Sequence, residues 1–225
     1  TFLDAEPPLK VTMARLLHRQ LTTPQVDRQA RMRTMTEMET ILLPASQVVL
    51  LVDQLSAVYR AAFGGPPYYR KSREVDEFAR ALPLLTQRPG FRCAAALDAG
   101  SGEITGFAYG YRSLPGQWWY DHVARAMGSE MAAEWLSDAF QVAELAMRPE
   151  HQGRGAGGAL HDLLLAGVTQ SRAVLSTMAV ETAAHTLYRH RGWQVVLDRF
   201  LFPGVPRSYA IMGLDIRASK EKRIS

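Results

Sequence analysis

Apolar and polar positions alternate along most of the chain in a pattern that predicts an α/β protein. Short apolar runs bounded by turn-forming residues indicate strands, and longer segments with apolar residues three and four apart indicate helices. The predicted strands cover residues 40–43, 91–98, 104–112, 140–147, 173–178, 193–199 and 209–216. The predicted helices cover residues 47–63, 72–86, 155–170 and 183–191. Strands and helices therefore follow one another as in a single mixed domain.

The pattern divides the 225 residues into one domain and two flanking segments. Residues 39–217 carry the periodic elements and form the predicted domain. Residues 1–38 are polar, basic and rich in methionine, and we expect a helical or flexible extension. Residues 218–225 form a basic tail. Within the domain, residues 113–139 are a long aromatic-rich connection, which predicts short helices or a functional loop.

Composition excludes several classes of protein. The chain is 47% hydrophobic and 21% charged, without an apolar run long enough to cross a bilayer and without the pattern of a signal peptide. We therefore expect a cytoplasmic protein with no membrane contact. A single cysteine, Cys93, permits no internal disulfide and no cysteine-based metal site, and no metal is expected. The net charge of +4 is not arranged in a basic stripe, so a nucleic-acid partner is not expected.

A strand, a glycine-rich turn and a helix follow one another at residues 144–160. Glycines at the start of a helix let backbone N–H groups approach an anion closely. The helix dipole adds to the attraction. Leu160, Leu164 and Val168 give the helix an apolar face toward the sheet. The segment therefore predicts a phosphate-binding site.

Two kinds of phosphate site fit this turn. Gly153, Gly155 and Gly158 satisfy the dinucleotide fingerprint G-x-G-x-x-G, and Glu181 lies at about the expected distance downstream. That fingerprint follows its strand closely, however, whereas residues 148–152 intervene here. Too little chain also follows Gly158 to complete a doubly wound sheet. The dinucleotide interpretation is therefore disfavoured.

The alternative pattern, Q-x-x-G-x-G/A, is met by Gln152, Gly155 and Gly157, and here the chain resembles the GNAT superfamily of N-acetyltransferases. The resemblance continues in residues 187–193, which look like the family's tyrosine-bearing helix followed by a glycine and an aromatic residue. It covers residues 40–216. It implies an α/β (α+β) fold with a mixed, mostly antiparallel central sheet flanked by helices, and a splayed strand pair at the cofactor site.

The resemblance also implies acetyl-CoA as cosubstrate and assigns residues to it. The backbone of the motif strand would pair with the pantetheine arm and polarise the thioester carbonyl. The amides of the turn would hold the pyrophosphate, with Arg154 as an added cation. The residues so assigned are Leu145, Ala146, Met147, Gln152, Gly153, Arg154, Gly155, Ala156, Gly157 and Gly158.

Two catalytic residues follow from the same resemblance. Tyr188 matches the family tyrosine that protonates the departing thiolate; the alternative is a core aromatic. Glu144, within an otherwise apolar strand, is the candidate base, acting directly or through water, and the alternative is a structurally paired carboxylate. Glu181 departs from the pattern, since family members often carry asparagine there, and is left out of the site.

The acceptor side is predicted from aromatic residues near the cleft. Tyr109, Trp118, Trp119 and Asp121 would suit a cationic amine, or the tryptophans would merely pack an inserted helix onto the sheet. We expect an enzyme acting on a small-molecule amine. A protein lysine or N-terminal acetyltransferase and a non-catalytic CoA-binding regulatory module are the alternatives. The resemblance also makes a homodimer the expected assembly.

Overall fold

The computed structural model describes residues 38–217. The predicted tail lies outside the described residues, as does the predicted extension apart from Met38. Seven strands are present: β1 Met38–Leu43, β2 Arg92–Asp98, β3 Ile104–Ser113, β4 Ala139–Met147, β5 Arg172–Met178, β6 Gln194–Leu201 and β7 Ser208–Asp215. The helices are α1 Ala45–Leu50, α2 Val52–Phe63, α3 Ser72–Leu85, α4 Trp118–Leu136, α5 Ala156–Leu165 and α6 Ala183–His190.

The strands form one sheet in the order β1-β2-β3-β4-β5-β7-β6. Every neighbouring pair is antiparallel except β4 and β5, which run parallel. The predicted mixed, mostly antiparallel sheet is thereby confirmed.

The parallel pair β4 and β5 separates soon after it begins. Pairing joins only Ala139–Gln141 to Arg172–Val174. On the other side of β4, the register with β3 shifts, so that Tyr109 faces Glu144 while Gly110 faces Val142. Ala143 is therefore the extra residue of a β-bulge, which bends its strand locally. The second half of β4 thus diverges from β5 and leaves a gap in the middle of the sheet.

Helices cover both faces of the sheet. On one face, α2 and α3 pack over β2 and β3 through a cluster that includes Leu55, Phe78 and Phe107. On the opposite face, α5 packs through Leu160 and Leu164. The helix α4 lies on the β5 and β7 side of the first face, where Trp119 and Trp135 join Val174 and Ile211. Helices therefore flank the gap between β4 and β5 on both faces of the sheet.

The helices differ from the sequence prediction in three places. The helix predicted for residues 47–63 is two helices, because Leu51 has a non-helical backbone at φ −103° and ψ 11°. The helix predicted to reach residue 170 ends at Leu165, where Ala166 becomes extended and Gly167 adopts φ +79°. The connection at residues 113–139 contains one 19-residue helical element, α4, kinked at Gly128. None of the helices between residues 38 and 217 has both the length and the apolar character needed to cross a bilayer.

Candidate active site

The glycine turn before α5 has the backbone that anion binding requires. Gly153 has φ +73°, and Gly155, the residue that caps the helix, has φ +84°. A Cβ atom at either position would have no heavy atom within 4 Å, so the space above the turn is open. The first N–H groups of a helix have no partner within the helix. The turn therefore presents amides and a positive dipole end to an accessible space.

The turn is held in place by the strand before it and by α6. Gln152 donates through Nε2 to the carbonyl oxygen of Met147 at 2.9 Å. The Arg191 guanidinium, at the end of α6, packs against Gly158, where a Cβ would displace it. Arg191 in turn binds Asp162 on α5 at 3.0 Å. These contacts fix the position of the turn against the second half of β4.

The second half of β4 has one paired and one unpaired edge. Leu145, Ala146 and Met147 pair with Ala108, Phe107 and Gly106 of β3. On the other edge, the described residues of β4 and β5 form no pairs after Gln141 and Val174. An extended group can therefore bind this edge as an added strand would.

The gap between the strands is a cleft with about 640 Å³ of empty space that opens to solvent. Its walls come from β4, β5, α6, the loop after α2 and the loop before β7. The lining residues are Phe63, Tyr68, Arg70, Val142, Ala143, Glu144, Leu145, Leu175, Ser176, Thr177, Met178, Ala184, Tyr188, Arg207 and Tyr209.

Glu144 lies in the cleft wall, directly after the bulge. Burial raises the pKa of its carboxyl from an ordinary value of 4.5 to about 7, and the Arg70 guanidinium acts in the opposite direction. A carboxyl with a pKa near neutrality can accept and release a proton at physiological pH. Glu144 therefore has the protonation behaviour of a general base.

Tyr188 lines the same cleft from α6. Its side chain is 6% exposed and lies within 5.6 Å of the Trp193 ring, centroid to centroid. Burial raises the pKa of its hydroxyl, and the negative charge of Glu144 raises it further. The hydroxyl therefore remains protonated at neutral pH and can donate a proton into the cleft.

No family model matches the chain. The chain is 34% identical over 127 residues to the GCN5-like protein acetyltransferase Rv2170 of Mycobacterium tuberculosis (strain ATCC 25618 / H37Rv). The match covers 53% of this chain and 62% of that protein, so it spans less than two thirds of the relative's length.

Two solved structures share the fold over most of the domain. Arabidopsis thaliana NAA60 in complex with a bisubstrate analogue has a TM-score of 0.55 at 18% identity, covering 80% of this chain and 99% of that one. Aminoglycoside 6'-acetyltransferase type Ii also has a TM-score of 0.55, at 15% identity, covering 79% and 97%. The chain therefore has the fold of these acetyltransferases, the GNAT-like fold that the resemblance implied. Within this fold, the glycine turn and the splayed strand pair lie in the places that the sequence predicted.

The four residues predicted for the acceptor side do not line the cleft. Tyr109 packs between Phe78, Phe91 and Phe107 in the core. Asp121 accepts a hydrogen bond from the Gly116 backbone at 2.9 Å and so closes the turn before α4.

The two tryptophans begin α4 and pack it against neighbouring elements. Trp118 is 53% exposed and stacks on Phe202 at 5.2 Å. Trp119 is buried, and its Nε1 donates to Ser176 Oγ at 3.2 Å. Because Ser176 lines the cleft, this hydrogen bond connects Trp119 to the cleft wall.

The structure adds cleft residues that sequence reasoning missed. Tyr68 and Arg70 follow the Gly-Pro segment 64–67, and Arg207 and Tyr209 precede or begin β7. Arg207 donates to the backbone carbonyl oxygen of Tyr68 across the cleft rim. The sequence signal for Tyr68 and Arg70 was only that an aromatic and a cationic residue follow a glycine–proline turn. That signal does not show which part of the fold the loop contacts.

Glu181 lies outside the candidate site. It forms an exposed ion pair with Arg189, whose Nη2 lies 2.6 Å from Glu181 Oε2. It does not line the cleft.

Proposed function

We propose that this protein is an N-acetyltransferase of the GNAT superfamily, which transfers the acetyl group of acetyl-CoA to a primary amine of a small molecule by direct attack in a ternary complex. The observation that carries the proposal is that Glu144 and Tyr188 both line the only break in the described sheet, beside the glycine turn. A candidate base and a candidate acid thus meet where an extended cosubstrate has an unpaired strand edge to bind.

The residues present fit acetyl-CoA. The open turn from Gly153 to Gly158 would hold the diphosphate, and the exposed Arg154 would add a positive charge. The unpaired edge of Leu145, Ala146 and Met147 would hold the pantetheine arm. Bound there, acetyl-CoA supplies an activated acyl thioester, and a backbone N–H of β4 can donate to its carbonyl oxygen.

Glu144 and Tyr188 account for the two protons of the reaction. Glu144 removes a proton from the acceptor's ammonium group, directly or through water, which frees the nitrogen lone pair. That nitrogen attacks the acetyl carbonyl carbon, a C–N bond forms and the C–S bond breaks. Tyr188 gives its hydroxyl proton to the departing sulfur, and the second proton of the amine passes to solvent as Tyr188 is reprotonated. The products are an acetamide and free CoA.

The experiment is acetyl transfer read out as free thiol, with a panel of amines and peptides. Acetyl-CoA is first expected to raise the melting temperature, because a ligand that binds only the native state stabilises it. No shift at millimolar concentration would contradict the cosubstrate assignment.

Tyr188→Phe is expected to lower kcat by about 10²–10⁴-fold with little change in acetyl-CoA affinity, because only the proton donor is lost. Tyr120→Phe is the matched control, since Tyr120 is a partly buried residue of α4 that lies outside the cleft. Unchanged turnover in Tyr188→Phe would remove Tyr188 from the mechanism.

A second candidate function is acetylation of a protein lysine or an N-terminus. It is favoured by the name of the relative Rv2170, a protein acetyltransferase. The same panel separates the two, because a protein acetyltransferase would acetylate peptides and leave free amines unmodified. A non-catalytic CoA-binding module would show the melting shift without thiol release.

The homodimer stays a prediction, to be checked by light scattering coupled to size-exclusion chromatography.

A further inference from the structure

The charged groups of the cleft give it a positive or neutral interior. Of the described residues that line it, Arg70, Arg207 and Glu144 carry ionisable charge at neutral pH. Glu144 is ionised in only part of the molecules near pH 7, because burial raises its pKa to about 7. Glu74, which pairs with Arg70, offsets part of the positive charge, but the cleft does not form an acidic pocket that would attract a polycationic acceptor.

The two arginines lie on one wall of the cleft. Arg207 binds the backbone of Tyr68, and Tyr68 precedes Arg70 by two residues in the same loop. Arg70 donates through Nη1 to Glu74 at 2.8 Å. A guanidinium has five N–H donors, so further donors remain for a ligand. The side chain of Arg70 is 37% exposed and borders the cleft.

This wall is separate from the predicted diphosphate site. The loop that carries Tyr68 and Arg70 joins α2 to α3, which cover one face of the sheet. The glycine turn begins α5, which covers the opposite face. An anion that binds Arg70 and Arg207 therefore belongs to the acceptor and not to the cosubstrate's diphosphate.

We propose that the acceptor is an amine with a carboxylate next to its nitrogen, an α-amino acid or a close analogue, and that Arg70 and Arg207 bind this carboxylate. Arginine is suited to carboxylate because its planar N–H donors match the two oxygens. Glu144 then receives the proton of the adjacent ammonium group, and Phe63, Tyr68 and Tyr209 face the acceptor's side chain. This inference rests on the proposed acetyltransferase function and names its substrate class.

The test compares free amino acids with their amides in the acetyl-transfer assay. An amino acid and its amide have nearly the same size, and both carry the amine, but only the acid has the negative charge. Pairs with aromatic, aliphatic and acidic side chains are compared with spermidine, kanamycin and short peptides. We expect kcat/KM for the best acid to exceed that for its amide by at least about tenfold, the range of hydrogen bonds to charged groups.

The variant Arg70→Gln makes the test specific to the carboxylate. It should lower kcat/KM for the acid about 10- to 100-fold more than for the amide, while Arg70→Lys should keep part of the preference. A loss common to both substrates is expected from Glu144, because Arg70 lowers the pKa of that carboxyl. Arg73→Gln is the matched control, because Arg73 pairs with Glu77 at the same four-residue spacing and the same 2.8 Å, but outside the cleft. Because acid and amide are measured on one preparation, partial unfolding would affect both equally.

The possible outcomes are distinct. A preference for acids that Arg70→Gln abolishes supports the proposal. Equal use of acids and amides, best use of spermidine or kanamycin, transfer to peptides alone, or an equal loss for acid and amide in Arg70→Gln would each overturn it. Absence of any melting shift with acetyl-CoA would instead contradict the underlying acetyltransferase function.

Discussion

Replacing Glu144 with Gln is expected to raise stability and lower activity, each with its own pH dependence. For activity, Glu144 accepts a proton only when ionised, so kcat/KM of the parent should rise as the pH increases through about 7. Glutamine cannot accept that proton. The variant should therefore have a low rate without this rise, and any remaining increase should follow the pKa of the amine itself.

The stability effect has the opposite sign and comes from the same carboxyl. In the folded protein, burial raises the pKa of Glu144 from its ordinary value of 4.5 to about 7. Between these values the folded state holds a proton that the unfolded state has released, so stability falls as the pH rises. Each pKa unit corresponds to about 1.4 kcal/mol, which gives a cost of about 3 kcal/mol at most above pH 7. Solvent in the cleft should reduce this to about 1–3 kcal/mol.

The assay is thermal and urea unfolding of both proteins at pH 5 and pH 8.5. Glu144→Gln should gain about 3–10 °C in Tm over the parent at pH 8.5 and much less at pH 5. Glu103→Gln is the control, because Glu103 is exposed in the β2–β3 turn and any general effect of removing one negative charge should appear there too. A stability difference of the same size at both pH values would refute the reasoning. A pH–rate profile like the parent's would dismiss Glu144 as the base.

Two further substitutions test the glycine turn and the helix that it begins. Gly155→Ala should cost about 1–2 kcal/mol and weaken acetyl-CoA binding in calorimetry, because φ +84° disfavours any L side chain although space for a Cβ is present. Gly65→Ala, where the space is equally open and φ is not positive, should be nearly neutral; equal effects would contradict the backbone argument. Arg92→Met should cost about 1–3 kcal/mol in urea unfolding, because Arg92 donates to the carbonyl oxygens of Leu164 and Ala166 at the end of α5. An unchanged free energy of unfolding would mean that water donates to those carbonyl oxygens equally well.

Local sequence patterns predicted most of the fold and the cosubstrate side of the candidate site. All seven strands and the glycine turn depend on residues close together in sequence, such as Gly153 and Gly155, whose conformations few other residues adopt. The acceptor side depends on contacts between distant loops. Arg207 meets Tyr68 across 139 positions of sequence, and no local periodicity encodes that contact. The aromatic segment at Trp118 suggested a cleft wall, but its apolar rings pack α4 onto β5 and β7 instead.

One bulge connects the opening of the sheet with the placement of the candidate base. Side chains alternate between the two faces of a strand, and Val142 belongs to the cluster beneath α5. In a regular strand Glu144, two residues after Val142, would face the same side as Val142. With the bulge, Glu144 stands opposite Tyr109 and its charge acts on Tyr59 and Tyr109, on the face covered by α2 and α3. The bulge also lies two residues after the last β4–β5 pairing at Gln141. The same irregularity thus accompanies the divergence of the strands and sets the carboxylate toward the arginine wall, where an acceptor's ammonium group would arrive.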